Sequence, residues 1–136
     1  MRVRPDRSHR RRADDLLAAG ADIVAGHSAH VFHGVEALPG GLAVFDLGGA
    51  VDDYAVDEDL RNDLGLLALW RPWGAPELEL VGLRLDFCHT TLAEGPDAEW
   101  IRARLEAACG ELGTQVERIA PGRFAVEPAV DRTRLG

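Results

Sequence analysis

Apolar residues along this chain fall into runs whose period changes with position, and each change marks an element. Ala13, Leu16 and Leu17 recur at helical spacing. With Asp6 or Ser8 as N-cap and Gly20 as the stop, they predict a helix reaching Ala19. Ile23, Val24 and Ala25 are apolar in succession, the pattern of a strand buried on both faces, and Gly26 ends it. Val31 to Leu38 and Leu42 to Leu47 are two extended stretches around Pro39-Gly40-Gly41, a hairpin signal. Leu64 to Trp70 is almost wholly apolar and reads as a central strand, closed by Arg71-Pro72-Trp73-Gly74. From Leu78 to Phe87, Leu78 and Leu80 share one phase, while Val81, Leu83, Leu85 and Phe87 share the other. The change beside Gly82 predicts a β-bulge. Pro96-Asp97 opens a second helix with Ile101, Leu105, Ala108 and Leu112 on one stripe and Gly113 as its stop. Gln115 to Ile119 and Arg123 to Val126, around Pro121-Gly122, form a last hairpin, and residues 128–136 read as a frayed tail.

These elements predict an α/β layered domain over residues 1–127, a mixed β-sheet flanked by helices. At 136 residues the chain is long enough for one core that buries about two thirds of its surface. Charge narrows the partners. A net charge of −8 argues against nucleic acid, which basic surfaces hold. All fifteen basic residues are Arg, and six fall within the first twelve positions (Arg2, Arg4, Arg7, Arg10, Arg11, Arg12). No apolar core of a signal peptide follows them, and nothing approaches the roughly 18 apolar residues of a membrane span. That run reads as the solvated start of the first helix. Cys88 and Cys109 have neither disulfide-framework nor metal-ligand spacing, and Cys109 falls on the apolar stripe of the second helix.

The chemistry concentrates in Asp22-Ile-Val-Ala-Gly-His-Ser-Ala-His-Val31, where a buried strand runs into His27 and His30. Neutral imidazole is a good ligand for a divalent ion, and two on one short loop can share it at little ordering cost. Two ligands are nevertheless fewer than the three or four that zinc sites use, and a His-x-x-His pair also suits a hydrogen-bonded loop. His33 reads as a hydrogen-bonding residue, His9 as solvated, and His89 as a weak metal candidate beside Cys88. The loop from Gly48 to Asn62 is the most acidic part of the chain. In it Asp52 and Asp53 read as solvated, while Asp46 could line a cleft or orient an imidazole. Trp70, Trp73 and Trp100 read as core or sheet-edge packing.

Gly20-Ala-Asp-Ile-Val-Ala-Gly-His-Ser-Ala-His-Val31 resembles the "GADIVIGHHPHV" stretch of the CapA family of bacterial capsule or poly-γ-glutamate synthesis proteins. The likeness continues through Gly34-Val35-Glu36 and Val44-Phe45-Asp46-Leu47-Gly48, and Val51 to Asp63 is similar to a "VDDYAVDPELRND" branch. The resemblance implies a calcineurin-like metallophosphoesterase fold and a metal-dependent hydrolase. In that chemistry two ions about 3.5–4 Å apart polarise a phosphoryl oxygen and lower the pKa of bound water to near 7. By position, His27 and His30 match the late histidine motif that supplies metal ligands to a divalent ion of unspecified identity. Ser28 stands where many members have a further histidine, and Gly49 where they have Asn or Asp after the strand-end glycine.

The family's Asp-bearing first strand, Asn-His motif and His-Trp-Gly motif have no counterpart here, and Met1-Arg-Val-Arg-Pro resembles sequence just after the last of these. The expectation is therefore the C-terminal portion of a CapA-like protein, weakly active or inactive alone, with its metal lost or insecurely held. The alternative is a non-catalytic interaction module that pairs with another chain or with itself through uncovered sheet edges; the partners expected are a homo-oligomer or a missing N-terminal half.

Overall fold

In the computed structural model, which describes residues 2–51 and 55–126, the first helix forms where the apolar spacing put it. This is α1 (Arg7–Ala18), capped by Asp6. The Asp6 carboxylate accepts the His9 N–H at 2.9 Å, and the His9 ring accepts the Asp6 N–H in return. The reciprocal cap thus uses histidine where glutamate is usual. Ala13 and Leu17 bury the inner face. Arg10 reaches across to the buried carboxylate of Glu36, donating through both Nε and a terminal nitrogen, so α1 is fixed to the sheet below it by a two-pronged ion pair.

That sheet has three strands, β1 (Ile23–Ala25), β2 (Val35–Leu38) and β3 (Gly41–Val44), in the order β1-β3-β2. β2 and β3 form the predicted hairpin, and β1 runs parallel to β3. Both hairpin strands are shorter than their apolar runs. The chain beyond them keeps only an isolated bridge between Phe32 and Leu47.

The second sheet comprises β4 (Leu64–Trp70), β5 (Leu78–Asp86), β6 (His89–Leu92), β7 (Val116–Ala120) and β8 (Arg123–Val126). Its order is β4-β5-β8-β7, with β6 beside the second half of β5, and every pairing is antiparallel. The strands therefore divide between a mixed sheet and an antiparallel one, bridged where the Leu66 N–H donates to the Leu47 carbonyl at 2.8 Å. The α/β class holds, with two sheets, compatible with a partial layered sandwich.

Three strand expectations are corrected. β4 ends its sheet rather than occupying the centre; its first residues are buried because Leu47 and Gly49 lie against it. No bulge occurs at Gly82, since β4 and β5 stay in unbroken register from Leu64↔Arg84 to Trp70↔Leu78. β5 is the central strand and is apolar on both faces, which mimics a change of phase. The irregularity that does occur lies between Arg118 and Ala120 in β7. β6 was not anticipated, because His89-Thr-Thr-Leu92 is exposed throughout and carries no apolar alternation.

α2 (Gly95–Glu111) covers the core side of these strands with Ala98, Ile101, Leu105, Ala108 and Cys109. Fully burying side chains such as Ile101 and Leu105 contributes about 1.5–3 kcal/mol each. The helix also binds β2 directly. Cys109 Sγ accepts the Val35 N–H at 3.3 Å and Thr114 Oγ1 accepts the Ala37 N–H at 3.0 Å. Contact is close enough that a Cβ on Gly34 would stand 2.5 Å from the Ala108 carbonyl oxygen, so only glycine fits. Arg104 donates to the Val3 carbonyl, tying the chain's start to the same helix. Trp100 packs edge-on to Phe32, under the Arg61 guanidinium, but Trp73 is 99% exposed. Its expected packing role is corrected, because the β4–β5 turn holds it clear of the sheet. No helix among the described residues is long and apolar enough to cross a membrane. The proposed tail, residues 128–136, lies outside the described residues.

Candidate functional site

The loop from Gly26 to Val31 leaves β1 against the end of β3, and its geometry follows from that crowding. A Cβ at Gly26 would lie 2.4 Å from the Phe45 carbonyl oxygen, so glycine lets the strands stay paired while the chain turns. Ser28 and His30 then adopt positive φ, 91° and 63°. Such a backbone costs a non-glycine residue of order 1–3 kcal/mol and persists only when neighbours hold it. The holder is Asp46, which is 2% exposed. Its Oδ2 accepts the Ala29 N–H and its Oδ1 accepts the Gly48 N–H, each at 2.8 Å. One carboxylate thereby ties the histidine loop to the strand-end glycine.

The structure brings His27 and His30 to the mouth of a single cleft of about 750 Å³ between α1 and β1. Both imidazoles are exposed, and Ser28 Oγ lies 2.6 Å from His27 Nδ1. Ala13, Leu16, Val24 and Val44 give the cleft apolar lining, and Arg2, His9 and Arg12 stand at its rim, where Arg2 donates to Asp6 Oδ2 at 2.7 Å. Asp6, beside this rim, is held well below the usual carboxylate range, first by the Ser8 hydroxyl and then by the His9 N–H.

His33 also lines the cleft and is 6% exposed. Its Nε2 donates to the Arg2 carbonyl at 2.8 Å, the hydrogen-bonding role its sequence suggested. That bond fixes the tautomer and leaves Nδ1 as a buried acceptor without a partner among the described residues. The sequence reading set His33 apart from His27 and His30, whereas all three line the one cleft. The place of Arg2 and Arg12 at its rim carried no signal in the sequence, since it depends on how α1 packs.

A resident metal does not fit these residues alone. No three His, Cys, Asp or Glu side chains among the described residues are placed to hold one ion, whereas catalytic zinc takes three protein ligands. Asp46 uses both oxygens on main-chain N–H groups, so it positions the loop backbone rather than an imidazole. His89 is exposed on β6, the strand beyond β5, away from this cleft. Asp52 and Asp53 lie outside the described residues.

Residues 1–54 match the family described as bacterial capsule synthesis protein PGA_cap. Two probable polyglutamine synthesis accessory proteins of Mycobacterium tuberculosis, from two strains, are each 30% identical to this chain over 128 residues. The aligned stretch is 89% of this chain and 34% of each relative, so the chain spans about a third of the length of the curated relatives it matches.

Proposed function

Because this chain belongs to a CapA-like family of bacterial capsule-synthesis proteins, we propose that it serves capsule or poly-γ-glutamate biosynthesis as an accessory component with a partial metallophosphoesterase-type fold. In this reading His27 and His30 are the late ligand loop of a metal centre, and the further ligands come from polypeptide other than these 136 residues. A bound divalent ion would supply a polarised phosphoryl oxygen and an activated water. What these residues do is narrower. Gly26 admits the turn, Asp46 fixes the loop, and the two imidazoles are presented at the cleft mouth.

The observation that carries the reading is that a buried carboxylate is spent on holding a strained loop whose outward products are two imidazoles and too few donors for an ion. Alone, the chain is then weakly active or inactive. Metal analysis and titration calorimetry with Mn²⁺ and Zn²⁺ test this, together with hydrolysis of bis(p-nitrophenyl) phosphate. Weak binding without turnover is expected. A tightly held stoichiometric pair of ions with phosphodiesterase turnover would overturn it.

A further inference from the structure

The first twelve residues hold six arginines against one carboxylate, Asp6, in a chain whose net charge is −8. Half of these arginines are used by the fold. Arg2 pairs with Asp6, Arg10 with Glu36, and Arg4 lies 3.7 Å from Glu111. The others, Arg7, Arg11 and Arg12, are exposed on α1 and have no ion pair among the described residues.

Their placement works against the helix that carries them. A helix is partly positive at its N-terminal end and partly negative at its C-terminal end, so anions belong in the first turn and cations in the last. α1 has the reverse. Past its cap no acidic residue stands in the first turn, where Arg7 lies, and no basic one in the last, where Asp15 lies. Arg7 and Arg11, four residues apart, share a face and repel each other. Cations kept where they weaken their own helix, with no partner in the fold, suit an anion that comes from outside it.

The groups define what that anion is. Guanidinium takes a planar carboxylate through two parallel N–H bonds, and arginines one helical turn apart engage successive carboxylates on one strand of polymer. The patch is short, because exposed Asp14 and Asp15 follow directly and close it on the C-terminal side. Duplex DNA, with a charge every ~1.7 Å, needs a longer basic track. Arg12 also stands at the rim of the histidine cleft, so the patch leads to that cleft.

We propose that Arg7, Arg11 and Arg12 form a binding site for a flexible polymer of carboxylate-bearing residues, of the poly-γ-glutamate type, laid along the N-terminal half of α1. The site rests on the capsule or poly-γ-glutamate role proposed above and holds that polymer beside the histidine loop. Elsewhere the net charge of −8 repels a polyanion, which keeps nonspecific binding small.

The test measures binding of fluorescently labelled poly-γ-glutamate to the whole chain by anisotropy at low ionic strength, with duplex DNA as the competing polyanion. The variants are the triple substitution Arg7→Gln, Arg11→Gln, Arg12→Gln and, as control, Arg118→Gln, exposed on β7. Binding is expected to fall as salt is added, to weaken at least tenfold in the triple variant, and to be unchanged in the control. The triple variant should unfold in urea at the wild-type midpoint or above, because the charges removed oppose their helix. No binding, an equal loss in the control, or a lowered midpoint in the triple variant overturns the proposal. So does tighter binding of duplex DNA through the same arginines, which would make phosphate the ligand. Metal and hydrolysis measurements on the histidine loop are independent of all these outcomes, so the arginine site can fail while the proposed function stands.

Discussion

Replacing Asp46 by alanine tests whether one buried carboxylate sets the geometry of the histidine loop. The substitution removes two hydrogen bonds, to the N–H groups of Ala29 and Gly48, both at 2.8 Å. Bonds to a charged acceptor are worth about 1.5–3 kcal/mol each. Ala29 and Gly48 are half-buried, so water recovers part of the loss. Releasing the positive-φ backbone at Ser28 and His30 recovers a little more. The expected destabilisation is about 2–4 kcal/mol, which at a urea m-value of about 2 kcal/mol/M lowers the unfolding midpoint by roughly 1–2 M. Asp46→Asn keeps one of the two acceptors and should cost about half as much. Amide exchange at Ala29 should accelerate in Asp46→Ala, and at Ala29 or Gly48 in Asp46→Asn, according to which N–H the remaining oxygen accepts. If Asp46→Ala costs under about 0.5 kcal/mol, or if Ala29 exchange is unchanged, the carboxylate does not hold the loop and the account of the site is wrong.

Two glycines should respond to alanine with opposite signs. Gly34→Ala drives a Cβ into the backbone of α2 and should destabilise by about 1–3 kcal/mol, whereas Gly110, in the same helix with nothing within 4 Å, should gain about 0.5–1 kcal/mol, both read by urea unfolding. Burial pushes the Cys109 thiol up to about 11, and Cys88 is exposed. Ellman's reagent at pH 8 should therefore find one fast thiol in the native chain and two in urea. Glu79 is held below its ordinary 4.5 by hydrogen bonding to Arg123. Asp97 is held below 3.8 by Arg61. Because both folded-state values are depressed, their stabilisation is full above the unfolded values and fades as pH falls through the folded ones. The unfolding midpoint should stay level above about pH 5 and drop beneath pH 4.5, with a shallower drop in Glu79→Gln; an equal drop in that variant would remove Glu79 from the explanation.

Periodicity made most of the elements legible, because α1, β1 and α2 carry the spacing of the face they bury. What escaped was decided between elements. The sequence of β5 could not distinguish a strand apolar on both faces from one that changes phase, since Leu80, Val81 and Leu83 read alike in either case. β4 looked central because neighbouring backbone at Leu47 and Gly49 buries it, a fact no residue in β4 records. Trp73 looked like packing because indole is apolar, yet a turn geometry holds it in solvent. At the site, the strand-end histidines were readable from Gly26-His27-Ser28-Ala29-His30. The work of Asp46 was not, because a carboxylate that bonds backbone N–H groups leaves no motif.

β2 is pinned by partners far along the chain, at sequence separations of 74 residues for Val35 with Cys109 and 77 for Ala37 with Thr114, while Val3 and Arg104 are 101 apart. A growing polypeptide cannot complete any of these contacts until α2 has emerged from the ribosome. The histidine loop and its sheet therefore wait, half-formed, until α2 is made, and their closure is a step of high contact order. Mutations that weaken the α2–β2 seam should accordingly show themselves first as slow folding and low yield.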